Sequence, residues 1–350
     1  MKDTNSSRRA FGQSLTRCLV VSFALLMLVT QSGCYYGHLG VGQAKLLWAR
    51  EPVDQLLADP SIDPKLRARL ERVAQARAFA KEIGLEVGEQ YTSYVPWPDD
   101  RIVTSVIATE AGSIESSPFR FPIVGEVPYK GFFDRDRAKR EADQLRERGM
   151  DVCVSGIRAY STLGWFDDPL TAPMLETSDD RLFETVIHEL VHATVFVKSQ
   201  PDFNEGAANF IGEEATVAFF ARDTAATVDP RARIDDDRRI SLALMALRDE
   251  VAALYEQPLD EDARRQQRTA LETAARARFA ALPLTGRDAT RFAERARIND
   301  ACLAIQGTYV ADTPQYREVL ERLGGDLSAF VTRLREAADA DDPRASFFAP

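Results

Sequence analysis

Residues 184–192 read Glu184-Thr185-Val186-Ile187-His188-Glu189-Leu190-Val191-His192, an HExxH pattern. On a helix, positions i and i+4 share a face, so the imidazoles of His188 and His192 can reach a single ion. Glu189 projects beside them, where it can take a proton from an attacking water. The flanks predict the helix. Thr177-Ser178-Asp179-Asp180 supplies capping side chains and acidic charge for a first turn, and Leu182, Phe183, Val186 and Ile187 supply an apolar face. The chain holds three histidines, His38, His188 and His192, so two at this spacing are unlike chance. His38 lies in a Gly-rich stretch and reads as a surface residue.

A catalytic zinc site takes three protein ligands and leaves a position for water. No histidine follows His192, so a carboxylate must complete the set, and a three-histidine site is excluded. Ser199-Gln200-Pro201 turns the chain, and Asp202 can cap a second helix running to about Ala221. Glu205, in Phe203-Asn204-Glu205, then falls in the first turn and faces back at the histidines. Asn209 and Glu213 follow on the same face, suited to supporting imidazole N–H groups. Glu213 and Glu214 lie nearer the ligand spacing of the best-known two-histidine, one-glutamate (gluzincin) sites. Asn-Glu at a helix start is the recurring context of that ligand, which favours Glu205. The expected complement is one zinc ion per chain, held by His188, His192 and Glu205.

The N-terminus reads as a targeting segment. Arg8, Arg9 and Arg17 give a positive start, and Cys18 to Val29 is an apolar run of 12 residues. That is short of the about 20 residues a bilayer core needs, and suits a signal peptide. It ends in Thr30-Gln31-Ser32-Gly33-Cys34, which resembles a lipobox with Gln31 where an aliphatic residue is usual. Cys34 is the expected lipidation site, and Tyr35 after it points to the outer membrane, facing the periplasm of a bacterial envelope. Ser7-Arg8-Arg9-Ala10-Phe11 also looks like a twin-arginine export signal.

Among 350 residues, 45% are apolar and 28% charged, with 44 Lys+Arg against 54 Asp+Glu for a net charge of −10. This acidic balance argues against a nucleic-acid partner. Four cysteines exclude a disulfide-built scaffold. Cys153 and Cys302 can pair outside the cytoplasm, and their pairing stays open. The periodicity predicts helices over 42–84 with a turn at Asp59-Pro60 to Asp63-Pro64, and short strands over 91–133. It then predicts a helix from Arg135 to Arg148 closed by Gly149, a strand over 151–157, and helices from 178 almost to the end, broken near Pro258 and Leu282–Gly286. The fold class is α+β, with a small mixed sheet, the HExxH helix and a mainly helical C-terminal part. The expected organisation is a signal peptide (1–33), an N-terminal helical segment (34–90), a metallopeptidase core (91–221) and a helical region closing the cleft (222–350).

Several stretches carry a family resemblance: Cys34-Tyr35-Tyr36 with Gly42-Gln43, Phe121–Gly125 leading to Pro128–Phe133, Ala159–Pro169, His188–His192 and Phe203-Asn204-Glu205. On these, the chain resembles a bacterial family of aminopeptidase lipoproteins with a gluzincin-type site, from about residue 34 to the C-terminus and weakest over 222–296. The resemblance implies a zincin-like fold and hydrolysis of peptide bonds, with Glu189 as general base. By analogy, residues 152–160 form an edge strand that pairs with a peptide substrate. Tyr160 and Tyr309 are candidate oxyanion donors, and Trp165 a candidate pocket residue. Asp167, Asp168, Glu213 and Glu214 are candidates to hold a substrate's free amine. The alternative is an inactive zinc-site lipoprotein that binds or scaffolds in the envelope.

Overall fold

The computed structural model describes residues 35–121, 125–159, 167–222, 229–306 and 313–350. The expected signal peptide, Cys34, Tyr160, Trp165 and Tyr309 lie outside the described residues. The chain divides into two compact units, Met1–Ala49 and Arg50–Pro350. In the first, residues 35–48 are helical (α1).

The second unit opens with β1 (Glu51–Pro52), α2 (Val53–Ala58) and α3 (Pro64–Glu82). The Asp-Pro pairs break this stretch as expected. Asp63 caps α3 by accepting from the Leu66 N–H at 2.9 Å, with Pro64 just inside. The two-residue strand β1 interrupts what the periodicity reads as continuous helix, because it pairs with β2 (Ser93–Val95) across Glu51↔Tyr94.

Then come β3 (Val103–Thr109), β4 (Phe119–Phe121), β5 (Gly125–Val127), β6 (Lys130–Phe132), α4 (Arg135–Glu147), β7 (Asp151–Ile157) and β8 (Leu170–Thr171). β3 is central in the order β6-β3-β7 and antiparallel to both neighbours, so β6-α4-β7 is a crossover with one strand between. Asp134 caps α4, and Gly149 (φ 81°) ends it in the left-handed region. A second small sheet has the order β1-β2-β8, with β2 parallel to β8, and β4-β5 is a hairpin.

The outer edge of β7, expected within a substrate-pairing edge strand over 152–160, is partly taken at its start. The Val152 carbonyl accepts from Asn299 (3.0 Å) and the Val154 carbonyl from Arg297. Asp151 accepts from the Asp300 N–H at 2.6 Å, and Cys153 is disulfide-bonded to Cys302. Over 152–154 the edge is therefore already engaged by Arg297 and Asn299.

The rest is helical: α5 (Ala172–Leu175), α6 (Asp179–Thr194), α7 (Pro201–Arg222), α8 (Pro230–Tyr255), α9 (Glu261–Ala280), α10 (Ala289–Arg295), α11 (Asp300–Leu303), α12 (Thr313–Arg322), α13 (Leu327–Ala338) and α14 (Pro343–Phe348). Several of the aspartates have a local task. Asp229, Asp260, Asp288, Asp326 and Asp342 each accept from N–H groups of the helix they open. Buried Asp236 holds the break after α9, accepting from the N–H groups of Thr285 (2.9 Å) and Gly286 (2.7 Å).

The main hydrophobic cluster gathers α3, α6, α7, α12, α13 and Phe347 of α14. A second joins Leu247 and Val251 of α8, Ala275 and Phe279 of α9, Ala293, Ile298 and Leu303. The pair α6–α7 thus stands in the first core, with α3 packed on α6 through Phe79 and Phe183 (ring centroids 5.8 Å).

Candidate metal centre

On α6, Leu182, Phe183, Val186, Ile187, Leu190 and Val191 are buried. That burial leaves His188 and His192, one turn apart, on the side that meets α7. Their rings lie 4.8 Å apart, centroid to centroid. Helix α6 ends at Thr194, with Val195 as its C-cap, and the connector to α7 passes through Ser199 in the left-handed region (φ 62°).

Buried Asn204 fixes this connector from both sides. Its Oδ1 accepts from the Val197 N–H and its Nδ2 donates to the Val197 carbonyl, each at 2.8 Å. One amide therefore satisfies both backbone groups of a residue between the helices and sets where α7 begins. The following residue, Glu205, is delivered to the histidines. Gly212 lets the helices close up: a Cβ there would lie 3.2 Å from the Glu184 carbonyl and 3.6 Å from His188 Cβ.

The Nε2 atoms of His188 and His192 are 3.2 Å apart. Glu205 Oε2 is 3.5 Å from the first and Oε1 3.4 Å from the second. One ligand atom from each of the three residues lies within 4.8 Å of the others, so His188, His192 and Glu205 could hold a metal ion. Although burial raises its pKa, the hydrogen bonds and charges of the two imidazoles bring Glu205 down to about 2. Burial works against a charged His188, yet the Glu205 hydrogen bond and the charges of Glu189, Glu205 and Glu184 leave it raised.

Half-buried Glu189 lies close enough for its charge to bear on both His188 and Tyr91. Tyr91, which the motif reading missed, is 2% exposed and left-handed (φ 62°). Its N–H donates to the Asp168 carbonyl (2.9 Å), and the Asp168 N–H donates to Gln90 Oε1 (2.7 Å). Burial, then Glu189 and Asp168, pushes the Tyr91 phenol well above its ordinary value. A non-glycine residue at positive φ is the signal of a constrained site, and only the backbone shows it.

Other expectations need correcting. Glu213 does not support an imidazole; its carboxylate is held by Arg238. The buried Nδ1 of His192 has no hydrogen-bond partner among the described residues. Glu214 binds Arg231 with both oxygens (3.0 and 2.6 Å) and Arg317 at 3.2 Å. Both carboxylates, expected as candidates for a substrate amine, are paired with guanidinium groups. Asp168 is buried, while Asp167 is exposed. Pro201 opens α7, so Asp202 lies inside the first turn rather than capping it.

Fold and site together define an α+β protein with a two-histidine, one-glutamate constellation on a pair of helices. The chain belongs to the family described as "Putative aminopeptidase", whose profile matches residues 34–346. No curated protein and no solved structure matches it.

Proposed function

We propose that this protein is a zinc-dependent peptidase of the zincin type, acting as an aminopeptidase. The convergence of two imidazoles and one carboxylate, with one ligand atom from each within 4.8 Å of the others, carries the reading. Zinc with bonds of about 2.0–2.1 Å in tetrahedral geometry needs ligand atoms about 3.3–3.4 Å apart. The two Nε2 atoms are 3.2 Å apart, and each lies within 3.5 Å of one oxygen of Glu205, Oε2 for His188 and Oε1 for His192. Two imidazoles and one carboxylate suit this borderline cation, and the family description supports the reaction class.

Zinc, when bound, supplies a Lewis acid that polarises a carbonyl and makes water more acidic. His188, His192 and Glu205 hold it. Glu189, next to His188 but outside the ligand set, takes the proton from the attacking water and returns it to the departing amine. One water is consumed, the C–N bond breaks, and a carboxylate and an amine leave. A resident structural ion would not require an acidic side chain at 189.

The same reading places the chain on a lipid anchor at Cys34, in the outer membrane of a bacterial envelope and facing the periplasm. The family match begins at that cysteine. The Cys153–Cys302 disulfide, closed across 149 residues of sequence, suits an oxidising compartment. Among the described residues, no helix is long and apolar enough to cross a membrane.

Hydrolysis of paired peptides, one with a free and one with a blocked N-terminus, tests the activity. The free form is expected to be cleaved, a chelator to stop cleavage, and Glu189→Gln to remove it by at least about 100-fold while zinc stays bound. Zinc binding without any cleavage beyond that of Glu189→Gln would instead make this a binding lipoprotein.

A further inference from the structure

The residues on either side of Glu205 meet a side chain from a helix more than a hundred positions later in the chain. Tyr316, on α12, is 0% exposed, and its hydroxyl donates to the Phe203 carbonyl at 3.0 Å. Its ring lies on the first turns of α7 only because position 206 has no side chain. A Cβ on Gly206 would come within 2.9 Å of Tyr316 Cε2 and 3.1 Å of its hydroxyl. Phe203 and Gly206 flank Glu205 two residues before and one after. We propose that Tyr316 is a positioning residue of the metal centre, setting through Phe203 and Gly206 where Glu205 stands relative to His188 and His192. The inference rests on the reading that these three residues bind a metal ion.

Tyr316 has no room to yield. The rings of Phe348, Phe210, Phe347 and Phe330 lie 5.0, 5.7, 5.7 and 6.4 Å from it, centroid to centroid. Its neighbour Arg317 ties the same helix further along α7, with Glu214 at 3.2 Å and its guanidinium over the Phe210 ring at 6.0 Å. Helix α12 therefore fixes α7 at two levels. Apolar packing alone tolerates a small slide, whereas a buried hydroxyl loses its partner when the register slips. A metal site tolerates ligand displacements of only about 0.2 Å, so that register reaches the metal.

Tyr316→Phe removes the hydroxyl and nothing else, and Gly206→Ala adds a methyl group against the ring. Both are made in the full-length chain and compared with Leu247→Ala, a core truncation in the second hydrophobic cluster. Three quantities are read: zinc affinity by competition with a chromophoric chelator, the visible absorption of the cobalt(II)-loaded protein, and unfolding of the metal-free protein. Tyr316→Phe is expected to weaken zinc binding about 10-fold, within the range seen for groups that orient ligands, and to alter the cobalt spectrum. Gly206→Ala is expected to do at least as much. Leu247→Ala should lower stability but leave both metal readouts unchanged. Zinc affinity within twofold of wild type in both Tyr316→Phe and Gly206→Ala, with an unaltered cobalt spectrum, would overturn the positioning role. A loss no larger than that of Leu247→Ala would do the same. Failure of the wild-type chain to bind either metal would overturn the metal-centre reading itself.

Discussion

Helix α7 is held along two seams of opposite chemistry. Near its N-terminal end, where Glu205 sits, it meets Tyr316, Phe330, Phe347 and Phe348 through Phe203 and Phe210. Two turns on, Glu213 and Glu214 meet Arg231 and Arg238 of α8. The charged seam continues onto α6, where Arg233 of α8 binds Asp180 and Glu184; within α8 it also meets Asp237 at 3.1 Å. Ring packing is short-ranged and indifferent to pH and salt. Buried ion pairs offset a large desolvation cost with a comparable attraction, so their net worth is small and conditional. The end of α7 that carries the ligand is fixed by packing, and the middle of the helix is tied by charge.

Breaking the aromatic seam should cost most. Phe330→Ala is expected to lose about 3–5 kcal/mol of unfolding free energy, measured by denaturant titration, and to lose the same at acid and neutral pH. Arg233→Met should come next, at about 3 kcal/mol, because it strands Asp180, 1% exposed, beside Glu184. Pairing it with Asp180→Leu should recover most of that loss. If the double variant stays as unstable as the single one, the charged seam contributes more than the comparison allows.

The smallest effect is one of pH. Burial lifts Glu213 from its ordinary 4.5 to about 7, with Glu184 and Glu214 adding to the rise and Arg238 opposing it. Between those values the native chain keeps a proton that the unfolded chain has released, so stability falls as pH rises through that window. Glu213→Gln removes the dependence. The melting temperature of the variant minus that of wild type should become more positive from about pH 5 to about pH 8. A difference that is flat or of opposite sign contradicts the assignment.

Much of this was legible in the sequence because the informative signals are local. The HExxH helix, the Asp-Pro break and the closing Gly149 follow from periodicity and punctuation. Scarcity helped too, since with two histidines at helical spacing the third ligand had to be a carboxylate. What was not legible depends on partners distant in sequence. Glu213 shares a face with Glu205, yet Arg238 takes it. Val152 and Val154 lie on an edge strand, yet the 297–302 segment covers their carbonyls. Tyr316 looks like one more core aromatic until Gly206 is found beneath it. Helix α14 was readable and missed: Asp342 before Pro343 is a cap followed by a first-turn proline.

The central claim is that His188, His192 and Glu205 together bind one metal ion. Zinc content of the full chain after loading and exhaustive dialysis tests it most directly, with Glu205→Gln and Glu213→Gln beside wild type. One zinc per chain is predicted for wild type and for Glu213→Gln, with zinc lost from Glu205→Gln. A wild-type chain that retains no zinc, or zinc that survives Glu205→Gln and is lost from Glu213→Gln, would contradict the account.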